Sequence, residues 1–308
     1  MKAVAEAPSK VIITGEHFVV HGAWALAAAI PRRVRVVVSR SPSLAVKSDR
    51  FEGRSPNLAP VRRVVEEVSK EFSVSSAVSV SISSQVPGGA GLGSSASTMV
   101  AVASALSKFH SLDLGVGDVV RLSMVGEQDI HGKPSGIDPT VCAHGGVILF
   151  RPGSRPKKVR LGSPRTLIVS FSGINRATRG QIGRVSQTKA RYPGLFSRLA
   201  QAVSALSLEA AEKLAAGDLK GLGGDLAVDH AALDSMGVSN DTLDSIVDLM
   251  TSLGCYGAKL TGAGGGGSVL GVAPEAKEKS IVSGLSARGF ETFAARIPTE
   301  GVKSWLER

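Results

Sequence analysis

The chain has 308 residues, 43% of them hydrophobic, 20% charged and 4% aromatic, with a formal net charge of +10. Those totals describe a water-soluble globular protein that is most simply two domains, and sparse aromatics with scattered basic residues exclude a nucleic-acid partner, leaving the charge to surface solvation or anion steering. With no apolar run near the ~18 residues of a membrane helix, no signal peptide before the first patterned strand, and only Cys142 and Cys255 as thiols, the expectation is a cytoplasmic protein without a membrane partner, disulfide framework or metal cluster.

In chain order, Val11, Ile12 and Ile13 predict a buried strand, followed by a turn bounded by Gly15 and Gly22. Lys10 before that strand, and Glu16 and His17 after it, are polar groups on an apolar background that could share one cleft. Val34 to Val38 reads as a strand. Leu58, Val61, Val64, Val65, Val68 and Phe72 recur at helical spacing, giving an amphipathic helix from about Asn57 with Pro60 near its first turn. Val78 to Val86 alternates apolar residues with serine, the pattern of a half-exposed strand.

The next stretch is Pro87, Gly88, Gly89, Ala90, Gly91, Leu92, Gly93, Ser94, Ser95, Ala96 and Ser97. Four glycines let the backbone turn so that successive N–H groups face one anion, and the helix that follows to Phe109 adds positive partial charge at its N-terminus. That describes a phosphate cradle. A P-loop would place lysine after Gly93, where Ser94 stands, so any lysine acting on the phosphates comes from elsewhere. Gly91, Gly93 and Ala96 also fit the dinucleotide pattern G-x-G-x-x-[GA]. An alternating strand before the loop, and Asp113 in a helix exit, argue against that fold.

A second helix, expected to be capped by Asp118, leads into G-E-Q-D-I-H-G-K-P-S-G-I-D-P-T, from Gly126 to Thr140. Its glycines and proline predict a shaped loop holding Glu127, Asp129, His131, Lys133 and Asp138. Mg²⁺ takes one or two protein ligands beside phosphate oxygens, and Glu127 with the Ser95 hydroxyl could supply them. Val147 to Phe150 reads as a strand, Arg151 to Pro164 as a linker and Thr166 to Phe171 as a strand. Arg176, Thr178 and Arg179 follow in a loop that could face an anion. Helices are expected at Leu195 to Ala216, Gly223 to Met236, and from Asn240 or Asp241 to Gly254. A second glycine run, Gly262 to Gly267, predicts backbone packed closely against a neighbour, before a strand at Val269 to Val272. Pro274 starts a last helix, and Phe290 to Ile297 is expected to close the chain as a strand.

Lys10 to Gly22, Pro87 to Ser97 and Lys259 to Gly267 resemble, in order and spacing, the three motifs of the GHMP kinases. A-P-S-K-V-I-I-T-G-E-H-F-V-V-H-G, H-G-K-P-S-G-I-D-P and R-A-T-R are similar to the mevalonate kinase branch of that family. The resemblance implies an α+β fold of two domains with the active site between them. Residues 1–155 would form the ribosomal-protein-S5-domain-2-like N-terminal domain with the ATP-binding loop, and residues 156–308 the ferredoxin-like C-terminal domain. The reaction implied is transfer of the ATP γ-phosphoryl group to the 5-hydroxyl of mevalonate, in isoprenoid biosynthesis. Carried over residue by residue, Asp138 is the catalytic base and Lys10 its charged neighbour. Pro87 to Ser97 wraps the ATP phosphates, and Ser95 and Glu127 hold Mg²⁺. Lys10, Glu16, His17, Asp138 and Thr178 bind mevalonate, and a homodimer is implied. The alternatives are another GHMP small-molecule kinase, such as a phosphomevalonate kinase, or an inactive GHMP-fold regulator. Retention of Lys10, Ser95, Glu127 and Asp138 argues against the last.

Overall fold

The fold is given by a computed structural model that describes residues 1–49, 51, 55–163, 165–175 and 178–307, and of Thr178 and Arg179 the backbone only. The first half runs β1 (Lys2–Thr14), β2 (Ala25–Arg40), β3 (Ala45–Ser48), α1 (Ala59–Phe72), β4 (Val78–Ser84), α2 (Ser94–Phe109), α3 (Val116–His131), α4 (Ile137–His144) and β5 (Val147–Phe150). The second runs β6 (Lys157–Val159), β7 (Thr166–Phe171), α5 (Thr178–Arg191), α6 (Pro193–Ala216), α7 (Leu219–Ser235), α8 (Asp241–Leu253), β8 (Gly257–Thr261), β9 (Ser268–Val272), α9 (Glu275–Ser286), β10 (Glu291–Arg296) and β11 (Lys303–Glu307).

Two sheets result. The larger has the order β11-β1-β2-β4-β3, with β5 on the N-terminal half of β2 and β6 on β5, and β3–β4 is its parallel pair. The smaller is antiparallel, in the order β10-β7-β9-β8. Val78, Val80 and Ile82 of β4 are buried while the intervening serines reach the surface, as their alternation predicts. Val61, Val64, Val65 and Val68 of α1 pack into the same core as Val34, Val36 and Val38 of β2, each burial stabilising by roughly 1.5–3 kcal/mol. A second core joins the two sheets, with Val11, Ile13 and Leu26 on one side and Leu167, Leu222 and Leu270 on the other. It sets the cleft between them. β1 and β2 pair Pro8 with Arg33 but Ser9 with Ile30, leaving Pro31 and Arg32 opposite no residue of β1. Proline, which cannot donate to a ladder, suits such an irregularity, and Lys10 lies just beyond it.

Four expectations need correction. Asp118 does not cap α3; Gly115 holds that position, and Asp118 reaches back to accept from its N–H at 3.2 Å. Residues 126–140 are not one loop, since α3 continues through His131 and α4 starts at Ile137. Gly126 sits inside α3 because a Cβ there would stand 2.5 Å from Met99 Sδ, so it permits close helix packing where the sequence suggests a break. The linker at 151–164 contains β6, and the chain closes on β11 after β10. Both strands pair within the larger sheet, so a boundary at 155/156 separates them from the sheet they complete. Among the described residues no helix is long and apolar enough to cross a membrane.

Candidate active site

β1 carries Lys10 into the cleft with its backbone N–H bonded to the Leu92 carbonyl at 3.0 Å. The side chain is 1% exposed and runs beneath the glycine loop, where a Cβ on Gly93 would lie 2.8 Å from Lys10 Cγ. Its Nζ reaches Asp138 Oδ2 at 3.0 Å and the Gly91 carbonyl at 3.5 Å. Asp138 stands in the first turn of α4, where a helix N-terminus favours negative charge, and its side chain is 26% exposed. A buried cation thus meets a carboxylate that is open to the cleft.

The loop from Pro87 to Ser97 has two kinds of residue. Gly89, Gly91 and Gly93 have φ values of +72°, +81° and +75°, which turn the backbone as a cradle requires. Ala90, Leu92, Ala96 and Ser97 turn their side chains into the protein and anchor it. Ser97 Oγ, for instance, donates to the carbonyls of Gly93 (2.9 Å) and Pro8 (3.0 Å). Ser268 of β9 donates to the Ala90 carbonyl at 2.8 Å, tying the loop to the smaller sheet. Pro87, Gly88, Ser94 and Ser95 are at least partly exposed, and Ser94 opens α2.

Glu127 lies in the last turns of α3 and is buried, with its Oε2 3.7 Å from His131 Nε2. His131 Nε2 is also 3.5 Å from Ser95 Oγ. Burial, with a smaller push from Asp138, raises the Glu127 carboxyl to about 7 against the opposing pull of Ser95 and Lys10. Its Oε1 has no hydrogen-bond partner among the described residues. Such an oxygen beside a serine hydroxyl suits a hard divalent cation. Among the described residues no group of three or more His, Cys, Asp and Glu is arranged to hold a metal, so a cation here would need ligand oxygens from a phosphate as well.

A cavity of about 350 Å³ opens beside these groups, lined by Lys10, Glu16, His17, Glu127, His131 and Asp138 and by apolar residues including Ile12, Val19, Ile137 and Val185. His17, at φ +62°, donates from Nε2 to the Ala263 carbonyl at 3.0 Å. Glu16 is 1% exposed, its Oε1 2.5 Å from Lys259 Nζ, which also stands 3.3 Å from Asp229 Oδ2. Burial raises the Glu16 carboxyl to about 8, Lys259 opposing and Asp229 reinforcing the shift. Lys10, Glu16, His17, Glu127 and Asp138 therefore meet at one cavity. Thr178 begins α5, but its side chain lies outside the described residues, as does Arg176.

Sequence reasoning missed Asp229 and the side-chain role of Lys259. The signals were present: a lysine in the otherwise apolar strand G-A-K-L-T, and an aspartate at helical spacing from Leu222, Leu226 and Leu233. The second glycine run packs as expected, a Cβ on Gly264 meeting the Val238 carbonyl and one on Gly266 meeting Ile174.

The family model for the GHMP kinases N terminal domain matches residues 59–146, and that for GHMP kinases C terminal matches residues 210–291. Mevalonate kinase of Aeropyrum pernix is 34% identical over 316 residues, covering 98% of this chain and 98% of that protein. The chain belongs to the GHMP kinase family. Mevalonate kinase of Methanothermobacter thermautotrophicus is 30% identical to this GHMP kinase, with 98% of this chain and 100% of the relative covered. The crystal structure of L. major mevalonate kinase in complex with R-mevalonate matches with a TM-score of 0.82 at 31% identity, covering 95% of this chain and 94% of that one. The fold is also that of Methanococcus jannaschii mevalonate kinase, at a TM-score of 0.83 over 96% of this chain and 98% of that one, with 24% identity. This GHMP kinase is a phosphotransferase with ATP as its co-substrate.

Proposed function

We propose that this GHMP kinase transfers the γ-phosphoryl group of ATP to the 5-hydroxyl of mevalonate, giving 5-phosphomevalonate and ADP for isoprenoid biosynthesis. The observation that carries the reading is the Lys10–Asp138 pair, 3.0 Å apart, set between the glycine loop and the cavity. Phosphoryl transfer asks a protein chiefly for alignment and for positive charge where negative charge develops. Asp138 accepts the hydroxyl proton as the substrate oxygen bonds to the γ-phosphorus and the bond from that phosphorus to the bridging oxygen of ADP breaks. Lys10 stabilises the alkoxide character of the attacking oxygen. Amides of the Pro87–Ser97 loop hold the phosphates. Glu16, His17 and Thr178 are assigned to mevalonate, for which the cavity offers apolar walls and polar groups together.

Ser95 and Glu127 would hold Mg²⁺, a role supported by the unpartnered Glu127 Oε1. When bound, the ion supplies charge neutralisation on the phosphates. Residues 1–155 are assigned to an N-terminal domain completed by β6 and β11, and the remainder of 156–308 to a C-terminal domain. A cytoplasmic homodimer is the assembly the family resemblance favours.

The deciding experiment is a coupled ADP-release assay with mevalonate, phosphomevalonate, galactose and homoserine. Mevalonate should give the highest kcat/KM by a wide margin. A preference for any of the other three would replace this assignment.

A further inference from the structure

Strand β2 changes partners around Pro31 and Arg32. Its residues from Ala25 to Ala28 pair with β5 and those from Val34 to Arg40 with β4, while Pro31 and Arg32 between them fall out of register with β1. The ladder of β4 ends at Ser84 opposite Val34, so Gln85 leaves the sheet against this irregularity. Hydrogen bonds then hold Gln85 in place. Its N–H donates to the Arg33 carbonyl, its Oε1 accepts from the Arg33 N–H and its carbonyl accepts from Arg32 Nη1, each at 3.0 Å. Gln85 stands just ahead of Pro87, where the glycine loop begins.

The Arg32 guanidinium also crosses to the smaller sheet. Nη2 lies 2.9 Å from Glu291 Oε1, and the guanidinium carbon stands 4.4 Å from the centre of the Phe293 ring, both residues of β10. Ion pairs this open to water contribute little, the two side chains being 30% and 46% exposed, so the carbonyl and the ring are the stronger partners. A planar fork that lies on a ring while donating to a carbonyl is a geometry lysine cannot copy. Phe293 itself packs against the core that contains Val86, Ala90 and Leu92. Further along the loop, Ser268 of β9 donates to the Ala90 carbonyl. The smaller sheet therefore grips the loop at its entry as well as at its middle. We infer that Arg32 is a positioning residue for the glycine loop, anchoring its entry to β10 so that the loop is already shaped for a triphosphate before ATP arrives. The inference rests on the reading that residues 87–97 hold the phosphates of ATP, and not on the identity of the acceptor. Without the anchor, ATP must order the loop as it binds, which weakens its affinity but leaves the bound state and its chemistry as they were.

The test pairs calorimetry of a non-hydrolysable ATP analogue with kinetics and hydrogen exchange. In Arg32→Ala the Kd of the analogue should rise by about fivefold or more, with kcat at saturating ATP and KM for mevalonate each within about twofold of wild type. Arg32→Lys keeps the charge but not the fork and should bind the analogue within about twofold of Arg32→Ala, whereas Glu291→Gln should stay within about twofold of wild type. In ligand-free Arg32→Ala, peptides covering residues 85–93 should exchange at least about fivefold faster while those of α8 are unchanged, and the bound analogue should erase the difference. Should Arg32→Ala not fold, Arg32→Lys carries the same comparison. Wild-type affinity in a folded Arg32→Lys or Arg32→Ala protein, or faster exchange in α8 to the same degree, overturns the inference. Failure of the analogue to protect residues 88–93 of the wild type would refute the phosphate-binding role of the loop instead, and exchange in the ligand-free proteins would still decide whether Arg32 anchors it.

Discussion

Gly93 and Lys10 exclude one another: the lysine stem occupies the space a side chain on the glycine would need, 2.8 Å from its Cβ position. The cradle and the charged neighbour of Asp138 are therefore one packed unit. Gly93→Ala must move the loop or the lysine, and also strains a backbone at φ +75°. We expect a stability loss of about 1–3 kcal/mol and a kcat at least about tenfold lower, measured by urea denaturation and steady-state kinetics. Wild-type kcat in a folded Gly93→Ala protein would show that the two parts move independently.

Asp138→Ala removes the proposed proton acceptor while leaving the loop intact. Its kcat should fall by about 10²-fold or more, with ATP affinity within about threefold of wild type. Calorimetric titration of a non-hydrolysable ATP analogue separates the two effects, and an unchanged kcat would take Asp138 out of the mechanism.

Glu127→Gln preserves shape but removes the charge next to Ser95. The Mg²⁺ concentration giving half-maximal activity should rise by about tenfold or more. An unaltered Mg²⁺ titration would assign the orphaned oxygen some other partner.

Two buried carboxyls make stability depend on pH in an uncommon direction. A group whose native pKa lies above its unfolded value stabilises the fold fully below the unfolded value, and that contribution is lost as pH rises through the native one. Glu127 and Glu16 rise from 4.5 to about 7 and about 8, so the ligand-free protein should lose stability between those limits as pH increases. Urea midpoints for wild type and Glu16→Gln across that range provide the check. The wild-type decline should be the steeper, and parallel curves would mean that Glu16 does not titrate in this way.

Local rules made much of this fold readable. The valine spacing of α1 and the alternation of β4 each report one buried face, and the glycine count from Gly88 to Gly93 reports a backbone that must turn. Lys10, Glu127 and Asp138 were legible as chemistry because few apolar strands or broken segments carry such side chains. What could not be read depends on distant partners. Glu16 and Lys259 are 243 positions apart, and nothing near either names the other. Gly126 follows helix–helix packing against Met99, a contact that local propensity does not encode. K-S-W-L-E is short and half-exposed, and it becomes a strand because β1 offers it an edge.

The pairing of Lys2–Glu6 with Lys303–Glu307 has a practical consequence. Two segments about three hundred positions apart are stitched together along the strand that also carries the lysine of the cleft. Deleting residues 303–307 would bare that strand's outer flank and loosen its grip on Lys10. Damage far from any nucleotide would then register as lost turnover.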